Sequence, residues 1–393
     1  MKIVIVGAGV SGMIASSILR HKHEVILIEK NDECGKKILK TGNGKCNFWH
    51  TNLDSNCYET DNKEKLDKIL SNQEDCLNYL LKLGIYPTIK DGYYYPNSKE
   101  ASSVRDVLVN NLDGVNILLN ETVKDVNKID NGFMVKTTNK EIYCDKVIIS
   151  SGSLASVKDC NTYDLLKKLN HSINKVEPAL VKLKCDSPYL KEWDGVRAEA
   201  SVSLLINDKK KKEAVGEIQL TKDGISGICV FDISGKANTS LSNNLSVKVS
   251  INFFPKHDFN KFMEQRDISE PLNNSLKTIF NKKLIKIFLS ESKIDGNFKY
   301  SELSKDEKER LYNAICNYKV NITGNNGFIN SQVCTGGVPL SELNEDTMES
   351  LITKGLYITG ECIDVDGICG GYNMSFAFIT GYIVGLSLGD KND

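Results

Sequence analysis

The chain of 393 residues has no Cys-x-x-Cys pair among its twelve cysteines. Zinc ribbons and dithiol redox centres both need that spacing, so neither is expected. The cysteines are expected to be reduced, most of them packed as small apolar residues. Histidines are few, and apart from His21 and His23 they are scattered, with no His-x-x-x-His or facial-triad spacing. No metal is expected. Charge of one sign is missing too: 50 Lys and Arg stand against 51 Asp and Glu, a formal net charge of -1. That balance speaks against nucleic acid and against an anionic membrane surface as partners. A long hydrophobic run is also lacking. The best candidate, Met374 to Leu388, is broken by Ser375, Thr380, Gly381 and Gly385. It is too short for a membrane span and reads as a buried helix. The opening residues lack the charged and apolar regions of a secretion signal, so a cytoplasmic protein is expected. Internal repeats and low-complexity linkers are absent, and the oligomeric state leaves no mark in the sequence.

What is present is ordinary globular composition, 40% hydrophobic and 26% charged, enough for two or three domains. The first thirty residues carry the clearest signal. An apolar strand, Ile3 to Val6, runs into Gly7-Ala8-Gly9-Val10-Ser11-Gly12, and helical periodicity follows. A second strand, EVILIEK, ends in Glu29 and Lys30. This is the βαβ dinucleotide fingerprint in its required context. Gly7 permits the tight turn, Gly9 lets backbone N–H groups approach a pyrophosphate, and Gly12 lets helix and strand pack closely. The helix N-terminus presents partial positive charge to the phosphate. Glu29 can accept hydrogen bonds from both hydroxyls of an adenosine ribose, and its charge would repel the 2′-phosphate of NADP.

A second glycine-rich loop follows: Thr41, Gly42, Asn43, Gly44, Lys45, Cys46 and Asn47. A plain NAD domain has no need of it, whereas a longer ligand folding back over the domain does. Lys36 and Lys37 are placed to meet phosphate or adenosine. Lys63 to Leu83 reads as one amphipathic helix. The strand VIIS ends in Ser150-Ser151-Gly152-Ser153, another close-approach turn.

From Val181 the texture changes to alternating, half-wet strands such as VRAEASVSLLIN and LSVKVSINFF. Helical spacing then takes over, with Ser304 and Glu307 as a capping box. The run from Asp208 to Glu213 reads as a solvated hairpin tip. This block looks like an insertion with its own core. After it come a short strand, GLYITGE, and GGYNMSFAFITG, a helix that starts on two glycines. An N-terminal fingerprint completed by a distant C-terminal glycine turn is what flavin adenine dinucleotide (FAD) requires. No second G-x-G-x-x-G occurs, so no dedicated NAD(P)H domain is expected.

These motifs together resemble the FAD-dependent oxidoreductases of the YhiN/BaiN type, also described as aminoacetone oxidase-like FAD-binding enzymes. The resemblance rests on GAGVSG, TGNGKCN, YYPNSKEASSV, VIISSGS, GEIQLTKDGISG, QVCTGGV and GECIDVDGICGGYN, and covers nearly the whole chain. It implies an α/β fold: a Rossmann-like FAD-binding domain of the two-dinucleotide-binding-domain flavoprotein type, with an inserted β-barrel plus helical subdomain. The boundaries it suggests are 1–180 with 328–393 for the FAD-binding domain, 181–255 for the barrel and 256–327 for the helices. It also implies FAD contacts at the glycine loop, Glu29, Lys36, Lys37 and the backbone near Val123. On the flavin side it implies Gly360, Glu361 and the helix start Gly371, Tyr372, Asn373 and Met374. Either Glu361 or Asp366 can hold the ribityl hydroxyls.

The implied activity is hydride transfer between flavin and a small organic substrate, with NADH or NADPH as a transient donor. Enone reduction in bile-acid-like steroids is the family-level possibility. A flavin-binding RNA-modifying or regulatory protein is the alternative. Two departures fall where substrate is expected: Trp49-His50 in CNFWHTN, and Ile228-Cys229 where relatives carry proline. For acid–base work the candidates are Tyr372, Tyr95, His50 and Arg197, each with a plain structural reading beside it. Cys46 is a candidate thiol whose simpler reading is packing.

Overall fold

A computed structural model describes residues 1–266 and 269–389. Contacts divide the chain into two units, Met1–Val176 together with the segment from Val333 onward, and Glu177–Gln332.

The first unit is built on a five-stranded parallel sheet. Strand β1 (Lys2–Val6) leads through helix α1 (Val10–Leu19) to strand β2 (Glu24–Ile28). Across the sheet the order is Leu356–Ile358, Lys146–Ile149, β1, β2 and Asn116–Leu118, so the sheet's last strand in sequence sits two places from its first. Residues Ile3, Val4, Ile5, Leu27, Val147, Ile148 and Ile149 are buried. Near-continuous apolar runs are what a parallel sheet covered on both faces requires. A three-stranded antiparallel meander, Val123–Ile129, Gly132–Thr137 and Glu141–Cys144, fills the connection before Lys146. The C-terminal helix, Tyr372–Leu388, packs on α1, and Phe376, Phe378, Ile379 and Val384 are buried. Its glycines make this close approach possible. A β-carbon on Gly381 would stand 2.4 Å from the Ser11 carbonyl oxygen. The apolar run at the end of the sequence is therefore core, and no described helix is long and apolar enough to cross a membrane.

One expected helix is two. Lys63–Leu70 stops at Ser71, and Gln73–Leu83 begins after Asn72. The Asn72 amide donates back to the Lys68 and Ile69 carbonyls at 3.2 Å, taking hydrogen bonds that a continuous helix would own.

The second unit is a closed six-stranded barrel with helices. Strand order is Leu183–Asp186, Gly224–Ser226, Lys209–Thr221, Arg197–Ile206, Val247–Asn252 and Tyr318–Asn325. The last strand comes after the helical segment, so residues 181–255 alone do not close the barrel. Barrel and helices also share one core, in which Phe253 meets Phe288 at 5.3 Å and Phe288 meets Phe280 at 5.2 Å. Helix Lys305–Cys316 opens on the Ser304–Glu307 capping box. The lysine run is not a loop: the turn is Asn207-Asp208, both left-handed, and Lys209 to Lys212 lie on the returning strand. Ile228 takes the first position of helix Ile228–Ser242, where a proline would also fit, and Cys229 is buried behind it.

Candidate cofactor site

The glycine loop is held from below by Ser150. Its hydroxyl donates to the Val6 carbonyl at 2.9 Å and the Gly7 carbonyl at 2.8 Å. Gly7 has φ +102°, and a β-carbon there would lie 2.6 Å from the Ser151 Cα. Gly12 would place one 2.1 Å from the Gly7 carbonyl oxygen. Protein packing therefore explains Gly7 and Gly12. It does not explain Gly9, whose β-carbon would meet nothing nearer than 3.8 Å. Open space in front of a glycine at a helix start fits a phosphate lying against the backbone. No side chain caps α1 among the described residues, so its first N–H groups are available to an anion.

Glu29 is buried at the end of β2. Oε2 accepts the Ala8 N–H at 2.9 Å, and Oε1 accepts the Asn31 backbone and side-chain N–H groups at 2.9 and 2.6 Å. A carboxylate has about four acceptor positions, which leaves room for a ribose hydroxyl. Lys30 reaches the Asp159 carbonyl. Lys36 pairs with Asp32 at 2.6 Å on the exposed surface, whereas Lys37 turns inward to Glu361. The two lysines, adjacent in sequence, do different things.

The C-terminal segment meets this loop through hydroxyls. Thr359 Oγ1 lies 3.0 Å from Ser11 Oγ, and the Gly360 N–H donates to Thr380 Oγ1 at 3.1 Å. Glu361 accepts from Ser153 Oγ at 2.6 Å and from Lys37. Asp364 does another job. It accepts the Gly336 N–H at 2.9 Å and the Asn174 amide at 2.6 Å, so it braces the turn, and burial pushes its carboxyl above the usual range. Asp366 is buried on the strand Val365–Gly367, which pairs with Tyr58–Thr60. Gly371 caps the C-terminal helix at φ +95°, where a β-carbon would strike Trp49 and Asn47. Asn373 closes the turn, accepting the Gly367 N–H at 2.9 Å and donating to the Gly367 carbonyl at 2.8 Å. Met374 lies 3.8 Å from the Cys46 sulfur.

The loop Thr41 to Asn47 is a tight, largely left-handed turn, with positive φ at Gly42, Asn43, Gly44 and Cys46. Thr41 Oγ1 donates to the Ile38 carbonyl at 2.6 Å, and the Asn47 amide donates to the carbonyls of Trp49 and Tyr94. Lys45 is exposed. Burial pushes the Cys46 thiol up to about 11, which makes it a packed residue and a poor nucleophile. Ser151 Oγ bonds Thr162 Oγ1 at 2.8 Å, and Gly152 is left-handed with open space around it. The Val123 carbonyl accepts the Asn161 amide at 2.8 Å. Trp49 is core, so its side chain is not presented to a ligand. Arg197 belongs to the second unit, where it pairs with Glu217 at 2.6 Å in solvent. His50 and Tyr372 come together, with the hydroxyl 3.1 Å from Nδ1, and Tyr95 is partly exposed with its hydroxyl pushed up by burial.

Sequence reasoning missed Thr359, Thr380 and Asn161. A lone Thr or Asn carries no spacing signal, and their partners lie far away in sequence. Ser153 was within reach, being the last residue of the SSGS turn.

Glu29→Ala is expected to weaken FAD binding roughly 10- to 100-fold, since hydrogen bonds to a charged group each contribute about 1.5–3 kcal/mol. Titration of the apoprotein with FAD, followed by flavin fluorescence, measures this.

The open cradle at Gly9, the uncapped helix start, the buried Glu29 carboxylate and the joined C-terminal turn suit FAD. Fold and site thus define an FAD-dependent oxidoreductase. Residues 1–387 match the family described as HI0933-like protein Rossmann domain. A 3-dehydro-bile acid delta(4,6)-reductase of Clostridium scindens is 35% identical over 99% of this chain and 99% of its own. A ribosomal RNA dihydrouridine synthase of Escherichia coli is 27% identical over 95% of this chain and 94% of its own. Among solved structures, a 3-ketosteroid delta1-dehydrogenase from Sterolibacterium denitrificans aligns over 98% of each chain at TM-score 0.49 and 11% identity. The chain belongs to the HI0933-like Rossmann-domain family.

Proposed function

We propose that this flavoenzyme reduces a carbon–carbon double bond conjugated to a carbonyl, in a rigid steroid-like substrate, with NADH or NADPH as transient donor in the cytoplasm. The observation that carries the reading is the 35% identity, end to end, with a reductase named for a 3-dehydro-bile acid. Bound FAD supplies hydride at N5 once it has been reduced. The protein's part is to hold and orient. Gly9 and the α1 N-terminus take the pyrophosphate, Glu29 takes the ribose, and Glu361, fixed by Ser153 and Lys37, takes ribityl hydroxyls. The N–H groups opening helix Tyr372–Leu388 would favour the negative charge that flavin gains on reduction.

The protein is expected to purify yellow, or to become so with FAD. Anaerobic NADH or NADPH should bleach it, and a steroid enone should restore the colour. A colourless protein after reconstitution would sink the flavin reading. A reduced protein that no enone reoxidises would sink the substrate.

A second reading has one observation in its favour, the end-to-end similarity to ribosomal RNA dihydrouridine synthases. The bond type is shared, because the C5=C6 bond of uracil is conjugated to its C4 carbonyl. The balanced charge favours the small molecule. Dihydrouridine in ribosomal RNA treated with the reduced enzyme would reverse that preference.

A further inference from the structure

Enone reduction needs an electrophile at the substrate carbonyl. His50 stands in a box of aromatic rings at the start of the C-terminal helix. The Tyr372 ring is stacked on it at 4.9 Å and 25°, and Tyr93 meets it edge-on at 5.1 Å. Tyr58 packs edge-on against Tyr372 at 5.8 Å and donates its hydroxyl to the Tyr372 carbonyl at 3.0 Å. The box depends on glycine, since a β-carbon on Gly370 would come within 2.6 Å of the Tyr93 ring. Three separate pieces of chain are thus drawn together at one imidazole.

The hydrogen bonds fix the tautomer. Nδ1 of His50 accepts the Asn52 backbone N–H at 3.0 Å and the Tyr372 hydroxyl at 3.1 Å. A nitrogen that accepts twice carries no proton, so in the neutral ring the proton is on Nε2. Among the described residues Nε2 makes no hydrogen bond. Gly92 lies against this edge of the ring, and only a glycine fits there, since a β-carbon would come within 2.9 Å of Nε2. Of the stacked pair, Tyr372 is buried at 4% exposure, whereas His50 is only half-buried. His50 is therefore the one an incoming molecule can touch.

We propose that His50 is a catalytic residue, a neutral Nε2–H donor to the carbonyl oxygen of the substrate, and that Tyr372 is its positioning residue. This rests on the enone-reductase reading. When the β-carbon receives a hydride, the C=C electron pair moves onto the carbonyl oxygen. The Nε2–H hydrogen bond strengthens as that charge develops. The enolate then takes a proton from water at the α-carbon, the C=O re-forms, and His50 ends neutral as it began. A donor fixed before the reaction costs no reorganisation during it.

The test uses the FAD-loaded enzyme and two readouts. First, a para-substituted phenol mimics the enolate, and binding as phenolate should perturb the flavin absorbance. Second, reoxidation of the reduced enzyme by a steroid enone is timed. His50→Ala should lose the phenolate signal and slow reoxidation on the order of 100-fold, the loss typical of one oxyanion donor. Tyr372→Phe should lower both about 10-fold with kcat falling more than KM rises, since one of two restraints on Nδ1 remains. Both variants should keep wild-type FAD content and thermal midpoint. Wild-type phenolate binding and wild-type reoxidation in His50→Ala would overturn the assignment. If the wild type binds phenolate through His50 but no enone reoxidises it, the substrate reading fails and the donor stands.

Discussion

Gly9→Ala is expected to yield a folded protein that no longer holds FAD. The backbone at Gly9 has φ −79° and ψ −170°, a conformation open to alanine. Its β-carbon would sit in open space, with only the Ser150 carbonyl at 3.8 Å. The fold thus has no objection to the methyl group. Fewer unfolded conformations should even leave the apoprotein more stable by about 0.4–1 kcal/mol. The pyrophosphate has a strong objection, because the methyl occupies the approach to the N–H groups of α1. Loss of that contact should weaken FAD binding by at least about 100-fold, roughly 3 kcal/mol. Gly12→Ala is the counterpart. Its β-carbon would lie 2.1 Å from the Gly7 carbonyl oxygen and 2.6 Å from Ser150 Oγ, so the fold itself must give way. Overpacking of that kind costs about 1–3 kcal/mol. Apoprotein melting and flavin absorbance of the purified variants separate the two cases. A Gly9→Ala protein that stays yellow would show that the loop does not bind the pyrophosphate as described.

The same contrast shows what is readable in sequence. The first βαβ unit is local: strand, glycines, helix and carboxylate follow within thirty residues, and each position has a steric or electrostatic reason that spacing exposes. Its geometry is legible in those thirty residues alone. The barrel was less so. Alternation marks Arg197–Ile206 and Val247–Asn252 as strands, but nothing local says that Tyr318–Asn325, beyond the helical segment, is the stave that completes the ring. Closure is a pairing between distant segments, and pairing leaves no periodicity. The carboxylates of the C-terminal turn show the limit most clearly. Glu361, Asp364 and Asp366 look alike in the string GECIDVDG, yet one faces Lys37 and Ser153 and another is spent on Gly336 and Asn174. Their partners come from four other parts of the chain. Lys36 and Lys37 divide in the same way, one pairing with its neighbour Asp32 and the other with Glu361 in the C-terminal turn.

Gly381→Ala is expected to lower stability even though alanine is the better helix former. Position 381 lies inside the C-terminal helix, where replacing glycine gains about 1 kcal/mol of propensity. Against this, the new β-carbon would lie 2.4 Å from the Ser11 carbonyl oxygen, 2.8 Å from its Cα and 3.0 Å from its carbonyl carbon. All three are backbone of α1, so no rotamer change relieves the contact and the helices must separate. An overpacking cost of about 1–3 kcal/mol then outweighs or cancels the propensity gain. Separation also carries a functional cost. Ser11 belongs to the glycine loop, and its hydroxyl meets Thr359 next to Gly360. Moving Ser11 loosens the link between the two halves of the cofactor site, so FAD affinity should fall together with the thermal midpoint. Gly385→Ala is the control. Its β-carbon would meet the Ile18 side chain, 2.6 Å from Cδ1, which can rotate away, and 2.9 Å from Cβ, which needs a smaller shift than the 2.4 Å backbone contact at Gly381. The expected midpoint change is therefore smaller than for Gly381→Ala, with flavin content unchanged. Differential scanning of apo and FAD-loaded forms of both variants decides the matter. A Gly381→Ala protein that melts higher and binds FAD normally would mean that helix propensity governs this position and that the close helix contact does not hold the site together.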